Sequence, residues 1–153
     1  MNKTNITRPV HNFSLLTFSF ALLLMFTSVA NADFIKEGDI VKDSVTKLEW
    51  QDDNITDTME WQEAIEYCES LELGGYSDWR LPNINELKTI MDRSRYNPAI
   101  VSAFEHTSSG IYWSSTTNEN RHEEAWYVLF EGGGVDNGYK FNDLYVRCVR
   151  AGN

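Results

Sequence analysis

The sequence is poor in the residues that carry nucleophilic and metal chemistry. It contains two cysteines and three histidines among 153 residues, and His106 and His122 lie in polar, loop-like sequence. Ser114 and Ser115 are not framed by a G-x-S-x-G elbow, and no P-loop or dinucleotide fingerprint is present. Two cysteines without a paired histidine motif do not make a zinc site. With no recognisable nucleophile and base, the sequence predicts a protein that is not an enzyme and needs no cofactor.

Basic residues are also scarce. The chain has 13 lysines and arginines against 23 aspartates and glutamates, which gives a formal net charge of -10. Binding to a phosphate backbone needs clustered lysine and arginine, so we expect no nucleic-acid partner. The same balance argues against anionic lipid surfaces and sulfated polysaccharides. Neutral and cationic partners stay open.

The N-terminus has the pattern of a secretory signal peptide at residues 1–32. Lys3 and Arg8 give a basic start, an apolar run follows, and Ala30 and Ala32 form an A-x-A cleavage site. The apolar run is short for a membrane span and is diluted by serine and threonine. We therefore expect cleavage after Ala32, no membrane span afterwards, and one exported domain at 33–153, either periplasmic or at the cell surface.

The two cysteines have an ordinary role in an exported domain. In an oxidising compartment, Cys68 and Cys148 are expected to form a disulfide bond. They lie 80 positions apart. For a loop of this length, the chain-entropy model gives a stabilisation of about 4–5 kcal/mol.

Residue patterns predict helices first and strands later. The apolar positions of the first helix recur at i, i+3 and i+4 and form one stripe, which consists of Trp61, Ala64, Ile65, Cys68 and Leu71. Later runs are rich in β-branched and aromatic residues. The predicted elements are a hairpin over 39–50, a helix over 58–72 capped by Asp57, a helix over 84–92 capped by Asn83 and Glu86, and strands over 111–115, 125–130 and 144–150. This order indicates an α+β domain.

Arg80 lies between Trp79 and a Leu-Pro pair. A guanidinium suits the capture of a carboxylate or a phosphate, so one alternative is a ligand contact. Glu86 is close in sequence and belongs to the predicted cap of the second helix. We interpret Trp79, Arg80 and Glu86 as a structural clamp that ties this loop to that helix.

Two segments are rich in carboxylate and amide side chains. Neither has the spacing and closing glutamate of an EF-hand, and turns are the commoner role of such residues, so calcium stays open without a supporting motif. The later segment, 131–143, is framed by glycines and contains aromatics, so it is either a loop that holds a sugar or peptide or a hairpin tip. The earlier segment contains Asp52, Asp53 and Asp57; the predicted ligand-binding residues of the later one are Asp136, Asn137, Tyr139, Asn142 and Asp143.

The chain contains five motifs in a specific order: VTKLEWQ, WQEAIEYCESL, GGYSDWRLPNINEL, YWSSTT and YVRCVR. From about Val45 to Arg150, this series resembles the bacterial family typified by the C-terminal domain of the Legionella collagen-like adhesin. The resemblance implies a C-type-lectin-like fold, similar also to formylglycine-generating enzymes, with two helices packed on a twisted antiparallel sheet and long loops. It also implies export and adhesive binding. The lectins' calcium-sugar signatures and the formylglycine enzymes' late cysteine pair are absent, so neither activity is carried over.

These features support three hypotheses for function. The first is an exported, non-catalytic recognition or adhesion module that binds a glycan or protein through the loops between 105 and 143. The second is a catalytic domain related to formylglycine-generating enzymes, which would need a pocket of converging acid, histidine or tyrosine side chains. The third is a structural subunit of an envelope assembly, which would co-purify with a fixed partner.

Overall fold

Strands make up most of the regular structure. A computed structural model describes residues 33–54 and 57–152, so the predicted signal peptide at 1–32 lies outside the described residues. The elements in chain order are β1 (Phe34–Glu37), β2 (Ile40–Asp43), β3 (Leu48–Gln51), β4 (Thr58–Met59), α1 (Trp61–Ser70), α2 (Ile84–Thr89), β5 (Ile111–Asn118), β6 (Arg121–Leu129), β7 (Gly134–Tyr139), β8 (Leu144–Tyr145) and β9 (Val149–Ala151).

The strands form two sheets. The first sheet has the order β1-β2-β3-β9, and the second has the order β4-β8-β5-β6-β7. The strand β7 pairs with β6 in antiparallel register over all six of its residues and lies at an edge of the second sheet. The pairing of β5 with β8 is parallel. The predicted hairpin over 39–50 is confirmed, because β2 and β3 pair in antiparallel register.

The predicted fold class, an α+β C-type-lectin-like domain with two helices packed on one twisted antiparallel sheet, is wrong. Within 33–54 and 57–152, the strands form two sheets, and the two helices span only ten and six residues. The run 144–150, predicted as one strand, is divided between the sheets, with β8 in the second and β9 in the first. Residues 146–148 between them are buried. Strand-like composition shows which residues suit a sheet, but not which sheet they join.

Both helices are shorter than the sequence predicts, and α1, which ends at Ser70 and not at 72, differs from the prediction at both ends. The helix α1 begins at Trp61 and not at 58, because Thr58 and Met59 pair with β8; its N-cap is Glu60, not Asp57. The helix α2 ends at Thr89, and the capping box predicted for its first turn is confirmed. No helix in the described part of the chain is long and apolar enough to cross a membrane.

Two buried clusters hold the sheets and helices together. The cluster at α2 contains Trp50, Leu87, Ile90, Tyr112, Val128 and Phe130. The cluster at α1 contains Ala64, Cys68, Trp79, Trp113, Ala125 and Cys148. The predicted disulfide between Cys68 and Cys148 is confirmed, and both residues are fully buried. It joins α1 to the segment that crosses between the two sheets.

Candidate functional site

One face of the β6–β7 pair combines exposed aromatic rings with linked polar side chains. Directly opposed residues of an antiparallel pair lie on the same face, and the register opposes Glu124 to Tyr139 and Trp126 to Asn137. The next pair on this face, Val128 and Val135, belongs to the cluster at α2. We use the name β6–β7 face for the part of this surface that extends from the Val128–Val135 pair towards the start of β6 and the end of β7. Its members are Arg121, Glu124, Trp126, Asn137, Tyr139 and Phe141.

The aromatic part of the β6–β7 face is a stacked pair of rings. Tyr139 is 48% exposed and Phe141 is 66% exposed. Their ring centroids lie 5.1 Å apart, and the ring planes differ by 10°. Lys140, between them in sequence, turns towards α1, where its Nζ lies 4.0 Å from the centroid of the Trp61 ring. Nearly parallel rings at this separation stack face against face, so the pair leaves its outer ring faces and edges as an apolar surface in solvent, a feature common in ligand-binding sites.

The polar part of the face is a network centred on Asn137. Its side-chain oxygen accepts hydrogen bonds from Asn118 Nδ2 and Arg121 Nη2, both at 3.2 Å. Arg121 also forms an ion pair with Glu124 at 3.0 Å, through Nη1 and Oε1. The side chains of Asn137 and Glu124 are thus both linked to one guanidinium.

Glu124 has one carboxylate oxygen without a partner. The residue is only 4% exposed, and its Oε2 accepts no hydrogen bond from any residue in 33–54 or 57–152. A buried acceptor left unpaired costs about 1–3 kcal/mol, and more when it is charged. The β6–β7 face therefore contains an unused acceptor next to donors that are already oriented.

This arrangement matches the chemistry of a sugar ring. The apolar face of a sugar can pack on the Tyr139 and Phe141 rings, while its hydroxyl groups donate to carboxylate or amide oxygens and accept from guanidinium or amide nitrogens. The exposed ring faces of the stacked pair and the linked polar groups of the same sheet face meet both requirements.

The predicted ligand-binding residues are only partly brought together. Asn137 and Tyr139 lie on the β6–β7 face. Successive strand residues alternate in direction, so Asp136 lies on the opposite face, where its Oδ1 accepts from the Asn137 backbone N–H at 2.8 Å. Asn142 and Asp143 follow β7 in the turn that leads to β8. The middle of the expected glycine-framed loop is a strand, since β7 occupies 134–139.

Sequence reasoning missed Arg121, Glu124 and Trp126. Trp126 was read only as part of an apolar strand, and the strand was expected to begin at 125, whereas β6 begins at Arg121. The alternation of Glu124, Trp126 and Val128 could have placed these side chains on one face. Their proximity to Asn137 and Tyr139 depends on the register with β7, which no local signal reveals.

Arg80 and Trp79 occupy different environments. Arg80 donates to both carboxylate oxygens of Glu86, from Nη1 at 2.8 Å and from Nη2 at 2.7 Å. Burial acts to raise the pKa of Glu86, but the hydrogen bonds from Arg80 and from the Asn83 backbone N–H outweigh it, and the pKa lies below its usual value. Trp79 is buried, and its indole N–H donates to the Leu73 carbonyl at 3.3 Å. Both residues thus contact neighbouring parts of their own chain.

Asp52, the first residue of the acidic segment after β3, is the centre of a buried ion-pair cluster. Its carboxylate pairs with Lys36 and Arg147 and accepts from the backbone N–H groups of Glu105 and His106. Burial acts to raise the pKa of Asp52. The hydrogen bonds and the charge of Arg147 together outweigh burial, so the pKa lies below its usual value. Within 33–54 and 57–152, no three His, Cys, Asp or Glu side chains are grouped so that they could hold a metal ion.

Comparison with known proteins identifies the family of this chain. Residues 39–150, most of the chain, match the family described as the Lcl C-terminal domain. The chain therefore belongs to the Lcl C-terminal domain family, which is the family that the ordered sequence motifs predicted. A search of curated proteins found no match.

Proposed function

We propose that this protein is an exported, non-catalytic recognition module of the adhesion type that binds a glycan through the β6–β7 face. The observation that carries the proposal is the exposed, stacked pair of Tyr139 and Phe141 beside the Asn137 network. Two rings held in one orientation offer a large contact area at a low cost in conformational entropy. Polar groups already linked to one another lose little further freedom when a ligand binds.

Family membership and the disulfide support the adhesion-type role and the export. The chain belongs to the Lcl C-terminal domain family, which is consistent with an adhesion-type module. A buried disulfide between Cys68 and Cys148 suits an oxidising compartment outside the cytoplasm. Together they favour a module that works in the envelope or at the cell surface.

The size of the face favours a glycan over a protein ligand. A standard protein interface buries about 800 Å² on each partner and draws on roughly 20–30 residues. The β6–β7 face has six members, and only Tyr139 and Phe141 among them are large exposed hydrophobic residues. Such a surface suits one or two sugar rings.

The experiment is a glycan-binding measurement with a matched aromatic control. The full chain, produced with its disulfide formed, is applied to a glycan array, and its affinity for the best-bound oligosaccharide is then measured. The double substitution Tyr139→Ala and Phe141→Ala removes the stacked pair. We expect it to weaken binding by about tenfold or more, because a tenfold loss of affinity corresponds to only about 1.4 kcal/mol of binding free energy. Tyr96→Ala removes an aromatic that is 74% exposed and outside the face, and should leave the affinity unchanged.

Two results would contradict the proposed function. One is the absence of glycan binding by the wild-type chain, with or without added calcium. The other is an equal loss of binding in Tyr96→Ala and in the double variant, since that would place the contact away from the β6–β7 face.

A further inference from the structure

We infer that Glu124 is a direct ligand contact, and that its Oε2 accepts a hydrogen bond from a hydroxyl group of a neutral sugar. This inference rests on the proposed function and narrows it to uncharged glycans. It concerns a residue of β6 that is absent from the set predicted for ligand binding from the sequence.

The unpaired oxygen is the first argument. Glu124 is nine-tenths buried or more, its Oε1 is paired with Arg121, and its Oε2 has no partner among the described residues. Buried acceptors in folded proteins are nearly always hydrogen-bonded, so an unpaired carboxylate oxygen calls for a donor from outside the chain. Tyr139 lies directly opposite Glu124 in the register, so the stacked rings and Glu124 belong to the same face.

The charges around Glu124 select the kind of donor. A sulfate or carboxylate on the ligand would meet the carboxylate of Glu124, and like charges repel. An ammonium group would meet the Arg121 guanidinium, which is already bound to Glu124 and Asn137. A hydroxyl group avoids both conflicts, because it can donate to Glu124 Oε2 and accept from Arg121 or from the Asn137 amide.

Arg121 is the exposed side chain that is paired with the Glu124 carboxylate. The side chain of Arg121 is 57% exposed and pairs with Oε1 of that carboxylate. An exposed arginine changes rotamer within nanoseconds, and the inference requires Arg121 to rotate outward so that a ligand reaches Glu124. In the bound state, Arg121 then donates to a sugar hydroxyl in place of Glu124 Oε1 or Asn137.

The test compares Glu124→Gln with Glu123→Gln. Both substitutions remove one negative charge from neighbouring residues of β6, but Glu123 is exposed and alternates to the other side of the strand. The probes are immobilised neutral oligosaccharides of glucose, galactose and mannose, each paired with its sulfated counterpart. We expect wild-type binding to neutral probes, a loss of about tenfold to a hundredfold in Glu124→Gln, which is the range for a hydrogen bond to a charged group, and no change in Glu123→Gln.

Stability separates a ligand contact from a structural role. Glu124→Gln removes the charge of a buried carboxylate whose Oε2 is unpaired, while the amide oxygen can still accept from the largely exposed Arg121, so the melting temperature should be equal to or above that of the wild type. If Glu124→Gln folds poorly, Glu124→Met fills the same volume without charge and should show the same loss of binding. If a folded Glu124→Gln or Glu124→Met variant binds the neutral probes as tightly as the wild type does, the inference is overturned.

The outcomes distinguish this inference from the proposed function. If the double variant of Tyr139 and Phe141 loses binding while Glu124→Gln retains it, the glycan-binding role stands and the inference that Glu124 contacts the ligand is wrong. A preference of the wild type for the sulfated probes would likewise overturn the inference alone. If the wild type binds no glycan at all, both proposals are wrong.

Discussion

Arg147 Nη1 donates a hydrogen bond of 3.0 Å to Asp52 Oδ1, and the two side chains are only 4% and 0% exposed. Arg147 lies in the segment that crosses from the second sheet to the first, while Asp52 follows the last residue of β3. A second bond, from Arg147 Nη1 to the Gln51 carbonyl at 2.9 Å, reinforces the link. The buried pair therefore fixes the crossing segment next to the first sheet.

Loss of the Asp52 charge should destabilise the domain strongly. Asp52→Asn leaves Arg147 buried without its carboxylate partner, and breaking a buried ion pair from one side costs about 3–5 kcal/mol. We expect a loss of this size in the free energy of unfolding, measured by urea denaturation near neutral pH. Asp39→Asn, which changes an exposed carboxylate nearby, is the control and should unfold like the wild type. Identical midpoints for the two variants would refute a stabilising role for the cluster.

The same cluster makes stability depend on pH in the acidic range. The pKa of Asp52 is lower in the folded protein than its ordinary value, which is about 3.9 in an unfolded chain. A lowered pKa contributes stability that is present above the unfolded-state value and is lost as pH falls through the folded-state value. The stability difference between the wild type and Asp52→Asn should therefore be constant from about pH 5 to pH 7 and shrink below about pH 4. Urea titrations across that range test this, and a difference that grows on acidification would contradict it.

The disulfide should contribute a large part of the stability. It closes a loop with a sequence separation of 80 residues, and loss of such a bond from a small exported domain typically costs about 2–5 kcal/mol. We expect the double substitution Cys68→Ala and Cys148→Ala to lower the free energy of unfolding by that amount. Denaturation of the wild type in a reducing agent should give a similar decrease. Equal stability of the oxidised wild type and the double variant would mean that the bond does not constrain the domain.

Arg80 should affect stability modestly and ligand binding not at all. Its two hydrogen bonds end on Glu86, which also accepts from the backbone N–H of Asn83. The pair is partly exposed, so Arg80→Ala should cost about 1 kcal/mol, at the upper end for exposed ion pairs. Thermal unfolding and glycan affinity are measured on the same preparation. Normal stability combined with lost affinity would instead identify Arg80 as a ligand contact.

Local features of the fold could be predicted from the sequence. The capping box of Asn83 and Glu86 needs only four consecutive residues. The apolar spacing around Cys68 places that residue on the buried side of α1, where it meets Cys148. Both predictions rest on interactions within one helix or on chemistry common to exported domains.

Features that depend on partners distant in sequence could not be predicted. The segment Gly134–Tyr139 is rich in glycine and polar residues, so its composition indicates a loop, yet every one of its residues pairs with β6. Tertiary context here overrides strand propensity. The same limit applies to the candidate site. Composition identified Asn137 and Tyr139, whereas Glu124 and Trp126 became candidates only once the register placed them opposite those two residues.

The most direct test of the central claim is a map of the contact surface by nuclear magnetic resonance. The ¹⁵N-labelled full chain is titrated with the oligosaccharide that binds best on the array, and backbone amide shifts are followed residue by residue. Shift changes concentrated at 121–126 and 137–141 are the predicted result. Changes centred on another surface, such as the cavity of about 580 Å³ lined by Lys88, Met91, Asp92, Arg93 and Val101, would contradict the assignment of the β6–β7 face as the ligand-binding surface.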